Sequence, residues 1–267
     1  MGPLLDRRPY FPAFGLNTTI QNGCNCENSS YHGLEWVTEK RFSKGYSLNS
    51  AFTWSKALDA RDAPNPAFRQ SGRGLSQYDR AVNWVLSHSW EVPYGKGLRW
   101  GSSATGFRKV AFAGWKFHGI TTAQSGFAFT PVVSNNTTLN GDFGQRPDIT
   151  GNFSVSQPNR DRWFNPAGFT VPQCCRLGNA GTNIIRGPKL VTADWAFGKD
   201  VEFQEGKVLE FRWENFNLLN HANLALPNNQ VDSPIAGRIF GLAGSQAFGG
   251  AGTTPMRRMQ FGMRLRW

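Results

Sequence analysis

Hydrophobic and polar residues alternate strictly over the last stretch of the chain, RMQFGMRLRW. Met259, Phe261, Met263, Leu265 and Trp267 occupy alternate positions, with arginine, glutamine and glycine between them. Because successive side chains point to opposite faces of a β-strand, this pattern predicts a strand with one apolar and one polar face. A soluble β-sandwich shows the same alternation, so the pattern alone leaves open what the apolar face contacts.

The same alternation recurs in earlier parts of the chain. These further stretches are residues 34–38, 46–55, 82–92, 115–119, 191–197 and 209–214. Together with the terminal stretch they predict seven antiparallel strands. We expect each to approach the roughly 9–11 residues that a tilted strand needs to cross a membrane.

The predicted connections differ in length in a regular way. Counted back from the C-terminus, they are residues 219–254, 200–206, 126–188, 93–110 and 58–77, then the tight turn at 43–45. Outer-membrane barrels show this alternation, because their external loops are long and their periplasmic turns are short. The pattern places the C-terminus in the periplasm, although the link 93–110 is long for a periplasmic turn.

Most of the ten tryptophans fall on the apolar side of the predicted strands: Trp36, Trp54, Trp84, Trp90, Trp115, Trp195, Trp213 and Trp267. Tryptophan is enriched at membrane interfaces, because its ring is apolar and its N–H group is polar. No apolar run approaches the ~20 residues of a membrane helix. We therefore interpret the apolar face as lipid-facing, with a tryptophan-rich sandwich core as the alternative.

The formal net charge of +11 raises nucleic acid as a partner. The lysines and arginines are scattered, however, and no basic patch with interleaved aromatic residues stands out. We expect no nucleic-acid binding, and a basic surface that meets anionic lipid headgroups is at least as consistent with the charge.

Several stretches, taken together, resemble the C-terminal part of TonB-dependent outer-membrane receptors, especially the Oar-like group common in acidobacteria. The matching stretches include YHGLEWVTEKRFSKGYSLNSAFTWSKALD (31–59), YDRAVNWVLSHSWEVPYGKG (78–97), GWKFHGITTAQSGFAFTP (114–131), RWFNPAGFTVP (162–172), GNAGTNIIRGPKL (178–190) and RWENFNLLNHANLALPN (212–228). They are colinear and cover nearly all of residues 1–267. The resemblance implies an all-β fold, an antiparallel transmembrane β-barrel portion of about seven meandering strands from a barrel of about 22.

In this family the last residue is aromatic and is read by the machinery that inserts barrels into the outer membrane. The resemblance implies that Trp267, with Phe261, Met263 and Leu265 in the same phase, is such an assembly signal. It also implies an outer-membrane location, contact with lipid and lipopolysaccharide, and interaction with TonB through the rest of the receptor. The implied function is TonB-energised uptake of an unidentified ligand; the alternative is a structural or adhesive module that binds surfaces or glycans through its long loops.

The sequence departs from the family pattern in three parts. We find no plug domain, no TonB box and no signal peptide, since the start MGPLLDRRPYFPAF has no apolar h-region. Residues 10–20 fit an external loop better than an eighth strand, because they contain Pro12 and alternate weakly. Seven strands would leave two open edges in hydrocarbon, so we expect a fragment whose coding frame continues upstream.

The polar positions of the predicted strands carry many charges. The lumen-facing candidates are Glu210, Arg212, Glu214, Arg264 and Arg266, and the same phase contains Glu35, Glu39, Lys116, His118, Asp194 and Arg258. In the family such residues contact the plug or line the substrate route. Most of them serve equally well to keep a lumen hydrated, and Arg212 and Glu214 are the first to test.

No catalytic constellation stands out. The histidines have no metal-ligand spacing, and Asp79 and His88 lie in opposite phase. The glycine-rich residues 241–252 lack the Lys-Ser/Thr of a phosphate-binding loop. We therefore expect no enzyme activity, no cofactor and no metal.

Cysteines occur in two close pairs, Cys24 with Cys26 and Cys174 with Cys175. Both pairs fall in predicted external links, where disulfides persist. Residues so close in sequence bridge each other only with strain, so we expect bonds between the two links. A shared metal site is the alternative.

Overall fold

The computed structural model describes residues 28–60, 72–95, 97–134, 145–174, 176–243 and 256–267. This part of the chain contains twelve strands, an α-helix and a short 3₁₀ turn at Pro166–Gly168. In chain order the elements are β1 (Ser30–Ser43), β2 (Tyr46–Asp59), β3 (Gly74–Leu75), β4 (Val82–Glu91), α1 (Gly106–Phe112), β5 (Trp115–Gln124), β6 (Ala128–Phe129), β7 (Asp148–Ile149), β8 (Phe169–Thr170), β9 (Ile185–Arg186), β10 (Leu190–Gln204), β11 (Lys207–Phe216) and β12 (Arg258–Arg266).

Seven long strands form one antiparallel meander. Their order in the sheet, β1-β2-β4-β5-β10-β11-β12, is also their order along the chain, and β3 pairs with β2 beside this path. The long strands have from 9 residues in β12 to 15 in β10. The predicted all-β, antiparallel fold class is confirmed, and every stretch of alternation corresponds to one long strand.

The residues Lys44 and Gly45 form the hairpin turn that joins β1 to β2. Lys44 and Gly45 have positive φ values of 54° and 79°, which a two-residue type I′ hairpin turn requires. A Cβ atom at Gly45 would lie 2.6 Å from the carbonyl oxygen of Glu91 on β4. Glycine is therefore needed here both for backbone conformation and for space.

The connections between long strands gather at two ends of the sheet. One end, called the turn end below, carries residues 44–45, 92–114 and 205–206. The opposite end, called the loop end, carries the described residues of the three long links: 60, 72–81, 125–134, 145–174, 176–189, 217–243 and 256–257. The chain also finishes at the turn end, because β12 runs towards it. This arrangement is the predicted one.

Two links differ from the prediction. The link predicted at 200–206 shortens to 205–206, because β10 continues to Gln204. The link predicted at 93–110 extends to Gly114 and contains α1, which period-two alternation could not reveal. The segment 10–20 lies outside the described residues.

Two of the links at the loop end fold into a compact body, called the loop-end unit: residues 125–134, 145–174, 176–189 and 217–243. Its core consists of Phe129, Phe164, Phe169 and Ile185. The rings of Phe129 and Phe169 lie 6.2 and 6.1 Å from that of Phe164. Since this is where the described residues bury apolar side chains, and no second long sheet among them covers the meander, the structure does not support the sandwich alternative.

Candidate functional site

An aromatic row crosses the apolar face of the meander. In register, each of its members stands opposite the next across six neighbouring strands: Tyr46, Trp90, Phe117, Phe197, Trp213 and Phe261. From Trp90 to Phe261 the ring centroids are 5.3–6.0 Å apart, within the range of favourable aromatic pairs. The ring contacts connect neighbouring strands on one side of the sheet, and the outer surface of the row stays exposed.

The apolar face is exposed well beyond this row. Trp36 and Trp54 are 66% and 61% exposed, and Met263 on the last strand is 70% exposed. Soluble monomers rarely leave so continuous an apolar surface open. Lipid chains, which are as apolar as these side chains, are the medium that suits such a face.

The last strand carries the residues predicted to guide assembly. Phe261, Met263 and Leu265 stand opposite Trp213, Phe211 and Leu209 of β11. Trp267, which follows β12, is 88% exposed. Because β12 pairs with β11 alone among the described strands, its other edge is open, and the assembly role of this apolar edge remains a prediction.

The polar face carries a network of charges near the turn end. Asp200 accepts a hydrogen bond from Lys116 at 2.8 Å and one from Arg266 at 3.0 Å, both through Oδ2. Arg266 also lies 3.6 Å from Glu210. The Oδ1 atom of Asp200 is buried and has no hydrogen-bond partner, so this carboxylate keeps one acceptor for a water or a ligand donor.

The remaining lumen-facing candidates lie beside this network. The Arg212 guanidinium contacts the Glu214 carboxylate at 3.0 Å along β11. Arg264 stands opposite Glu210 in register, and no ion pair within 4.0 Å of it is found in the described part of the chain. All five candidates therefore share the polar face of β11 and β12, as their phase predicts.

Sequence reasoning missed Asp200, the centre of the network. It assigned Asp200 to a turn, whereas Asp200 lies within β10 opposite Glu210. The residues Val201 and Phe203 continue the alternation of β10 beyond Asp200, and that continuation was the available clue.

Asp200→Asn is expected to lower the free energy of unfolding by about 1–3 kcal/mol, because a neutral amide leaves Lys116 without its counter-charge and Arg266 with only the longer contact to Glu210. Glu202→Gln is the matched control on the same strand. It removes only the contact with Lys109 at 3.2 Å between half-exposed side chains, worth about 0–1 kcal/mol. Urea unfolding in vesicles, followed by tryptophan fluorescence, measures both, and equal losses would contradict the central role of Asp200.

An ion pair with a buried carboxylate joins the loop-end unit to the sheet. Asp79, whose side chain is fully buried, pairs with Arg186 of β9 and accepts a hydrogen bond from the backbone N–H of Ala57 at 2.6 Å. Beside it, the Arg80 guanidinium lies 3.2 Å from the centroid of the Phe127 ring. Burial, with the nearby charge of Arg186, lowers the pKa of Arg80 to about 10.

A second ion pair lies near the described cysteine. Arg176 makes a bidentate contact with Asp148, of which one hydrogen bond is 2.9 Å. Cys174 is disulfide-bonded, while Cys24, Cys26 and Cys175 lie outside the described residues. The expected pairing between the two external links therefore stays a prediction.

Acid is expected to weaken the loop-end unit through Asp148. The hydrogen bond from Arg176 holds the pKa of this carboxyl below its usual range. A lowered folded-state pKa stabilises the protein above the ordinary carboxyl pKa of about 3.9, and this contribution is lost as pH falls through the lowered value.

We therefore expect Arg176→Gln to destabilise the protein at neutral pH and to have little effect in strong acid, below the lowered pKa. Arg162→Gln, which removes an exposed contact with Asn165 at 2.8 Å, is the control. Urea unfolding followed by near-UV circular dichroism at both pH values tests this. A loss that is the same at both would contradict the assignment to Asp148.

The described residues bring together no cluster of potential metal ligands. They contain no group of three or more His, Cys, Asp or Glu that could hold a metal ion. His88 lies on the apolar face, with its ring 4.9 Å from that of Trp195. Asp79 is engaged in the ion pair with Arg186 instead, so the two do not form a site together.

A cavity of about 720 Å³ opens beside β1 and β2. Its apolar lining includes Leu34, Trp54 and Leu58, and Arg186 reaches it from the loop-end unit. Because β1 has a partner on one edge only among the described strands, the cavity lies where a neighbouring barrel strand would add its own side chains. We therefore assign no ligand to it.

An antiparallel meander with one aromatic, exposed face, one charged face and its long links at one end is the wall of a membrane β-barrel. No helix in the described residues is long and apolar enough to cross a membrane. The chain belongs to the outer membrane beta barrel domain family, whose model matches residues 2–260. No curated protein and no solved structure matches the chain.

Proposed function

We propose that this chain forms part of the wall of an outer-membrane receptor that takes up an unidentified ligand with energy supplied through TonB. The charged network around Asp200 is the observation that carries this proposal. It lies on the face opposite the aromatic row, so in a barrel whose aromatic face meets lipid it faces the interior. The colinear resemblance to TonB-dependent receptors agrees with it.

The polar face offers groups that a plug domain or a passing ligand could engage. The buried Oδ1 atom of Asp200 has no partner, and the Arg264 guanidinium makes no ion pair with the described residues. These groups would bind and guide rather than catalyse, so the proposal includes no enzymatic step. The loop end, with the disulfide-bonded Cys174, would lie outside the cell and the C-terminus in the periplasm.

A structural or adhesive module is the second candidate. The loop-end unit favours it, because this unit has its own buried core of Phe129, Phe164, Phe169 and Ile185. A folded external body of this kind could bind a surface or a glycan without any transport.

Growth of the source bacterium separates these functions. Deletion of this gene should abolish growth on one member of a panel of scarce iron, carbohydrate and peptide sources, and deletion of tonB should give the same defect. Restoring the gene with Arg212→Ala should give partial growth, whereas Arg41→Ala, at an exposed pair with Glu39, should restore it fully. Normal growth on every source with loss of surface attachment would instead support adhesion.

A further inference from the structure

The link between β4 and β5 is fastened to the apolar face of the sheet. The indole N–H of Trp115 donates to the carbonyl oxygen of Ala111 at 2.8 Å. The ammonium group of Lys199 donates to the carbonyl oxygens of Ala111, at 3.2 Å, and of Ala113. Trp115 and Lys199 stand opposite each other in register, so the C-terminal carbonyls of α1 are held by two residues of the apolar face.

These contacts explain a lysine on a face that otherwise meets lipid. The ammonium group of Lys199 lies 5.0 Å from the centroid of the Trp115 ring and caps the last carbonyls of α1. A cation at a helix C-terminus is stabilised by the free carbonyls and by the helix dipole. The hydrogen bonds of Lys199 thus hold α1 against the sheet, and α1 lies at the turn-end rim of the apolar face.

The helix itself is amphipathic, and its apolar side has no cover. Phe107 and Val110, three positions apart and therefore neighbours on the helix surface, are 83% and 48% exposed. The ammonium group of Lys109 instead contacts the Glu202 carboxylate of β10 at 3.2 Å. Phe112 packs against Tyr94 with ring centroids 5.7 Å apart.

The rest of the link repeats this combination of exposed apolar and cationic side chains. Leu98 and Trp100 are 50% and 48% exposed, with Arg99 between them. Residues 97–114 contain no acidic residue, and their cations are Arg99, Arg108 and Lys109. Aromatic and aliphatic side chains interspersed with lysine and arginine are typical of segments that lie in the headgroup region of a membrane.

We propose that residues 97–114 form an interfacial segment that lies in the headgroup layer at the turn end of the barrel and binds anionic phospholipid. Its exposed apolar side chains suit the boundary between acyl chains and headgroups, and its cations complement anionic headgroups. The segment is longer than a periplasmic turn needs to be because it covers the rim of the barrel. This inference rests on the barrel fold and is independent of the proposed uptake.

Fluorescence at position 107 tests whether lipid covers the apolar side of α1. The full chain with Phe107→Cys, labelled there with nitrobenzoxadiazole while the native disulfide stays oxidised, is folded into vesicles of phosphatidylethanolamine and phosphatidylglycerol. We expect blue-shifted emission that brominated lipid chains quench. Phe240→Cys is the matched control, because Phe240 is 65% exposed in the loop-end unit at the opposite end of the sheet; its label should report water and resist quenching.

Charge-reversal variants then test the role of the cations, and quenching tests whether lipid or protein covers α1. Arg99→Glu together with Arg108→Glu should shift the emission of the label at 107 back towards that in water, and so should replacement of the anionic lipid by phosphatidylcholine. Water-like emission at 107 in the folded, inserted chain would overturn the proposal. A blue shift that brominated lipid does not quench would also overturn it, because a second copy or another protein would then cover the helix.

Hydrogen exchange of the unsubstituted chain gives a readout that needs no variant. The amides of α1, Gly106–Phe112, should exchange more slowly in vesicles with phosphatidylglycerol than in vesicles of phosphatidylcholine alone. The amides of the turn at 205–206, at the same end but without cations or aromatic residues, should not respond to the lipid. Equal exchange of α1 in both vesicles would contradict anionic lipid as the partner.

Discussion

Phe197→Arg is expected to destabilise the membrane-inserted protein by about 1–3 kcal/mol, because a cation on the lipid face costs about 2–4 kcal/mol at the bilayer midplane and less towards the interfaces. Phe197 is central in the aromatic row, with ring centroids 5.5 Å from Phe117 and 5.3 Å from Trp213. Arginine would lose both ring contacts and would place a guanidinium in hydrocarbon. Urea unfolding in vesicles, followed by tryptophan fluorescence, measures the loss.

The neighbouring residue supplies the control for this prediction. Ala196 is next in sequence and lies on the opposite face, between His118 of β5 and Glu214 of β11 in register. Ala196→Arg would bring its charge beside a carboxylate on a hydrated face, so we expect a change within about 0.5 kcal/mol. Similar losses for both arginines would contradict the assignment of the apolar face to lipid.

Asp79→Asn is expected to lower the free energy of unfolding by about 2–4 kcal/mol, because it leaves Arg186 without its counter-charge; the Arg186 side chain is 34% exposed, so the cost is below that of a fully buried pair. The Asp79 side chain is fully buried against Arg186, and Arg80 adds a second guanidinium nearby. An amide cannot neutralise either cation. Denaturant unfolding at neutral pH in detergent micelles gives the magnitude.

Two further variants make the Asp79 result interpretable. Asp161→Asn, an exposed position in the loop-end unit, should change stability by no more than about 0.5 kcal/mol. Adding Arg186→Met to Asp79→Asn should recover part of the loss, since an apolar side chain of similar length leaves no unpaired charge there. If the double variant is no more stable than Asp79→Asn alone, the ion pair is not the source of the effect.

The Phe197 and Asp79 predictions concern two parts of the protein that different surroundings stabilise. The aromatic row is exposed to its surroundings and is stabilised by whatever medium covers it. The Asp79 carboxylate is buried by the protein itself. It holds the loop-end unit against β2, because it contacts both Arg186 and the N–H of Ala57. Lipid composition should therefore affect Phe197 variants strongly and Asp79 variants weakly.

The long strands were predictable because period-two alternation is a local property of the sequence. β12 and β4 show this most clearly: each stretch alternates over about its whole length, and the observed register places its apolar residues opposite those of the neighbouring strand. The phase of Glu210, Arg212 and Arg266 was predictable for the same reason. A side chain on one strand can reach only one face of the sheet.

The ionic contacts were not predictable from that phase. Asp200 meets Lys116 and Arg266 because β5, β10, β11 and β12 are neighbours with a particular stagger. The partners are 84 and 66 positions away from Asp200 in sequence. Local alternation contains no information about such stagger, so the missed strand end at Asp200 concealed the centre of the network.

By itself the sequence determined the all-β class, the order and phase of the long strands, and the ends at which long and short links lie, because each depends on neighbouring residues. Only the tertiary structure decided that the long links share one core, that Asp79 pairs with Arg186, and that Lys199 holds α1 at the rim. These features depend on contacts between residues far apart in the chain, whose free energy exists only once the sheet has formed. The interfacial segment belongs to this second group, since a seven-residue helix is too short to be stable in water without the sheet that holds its carbonyls.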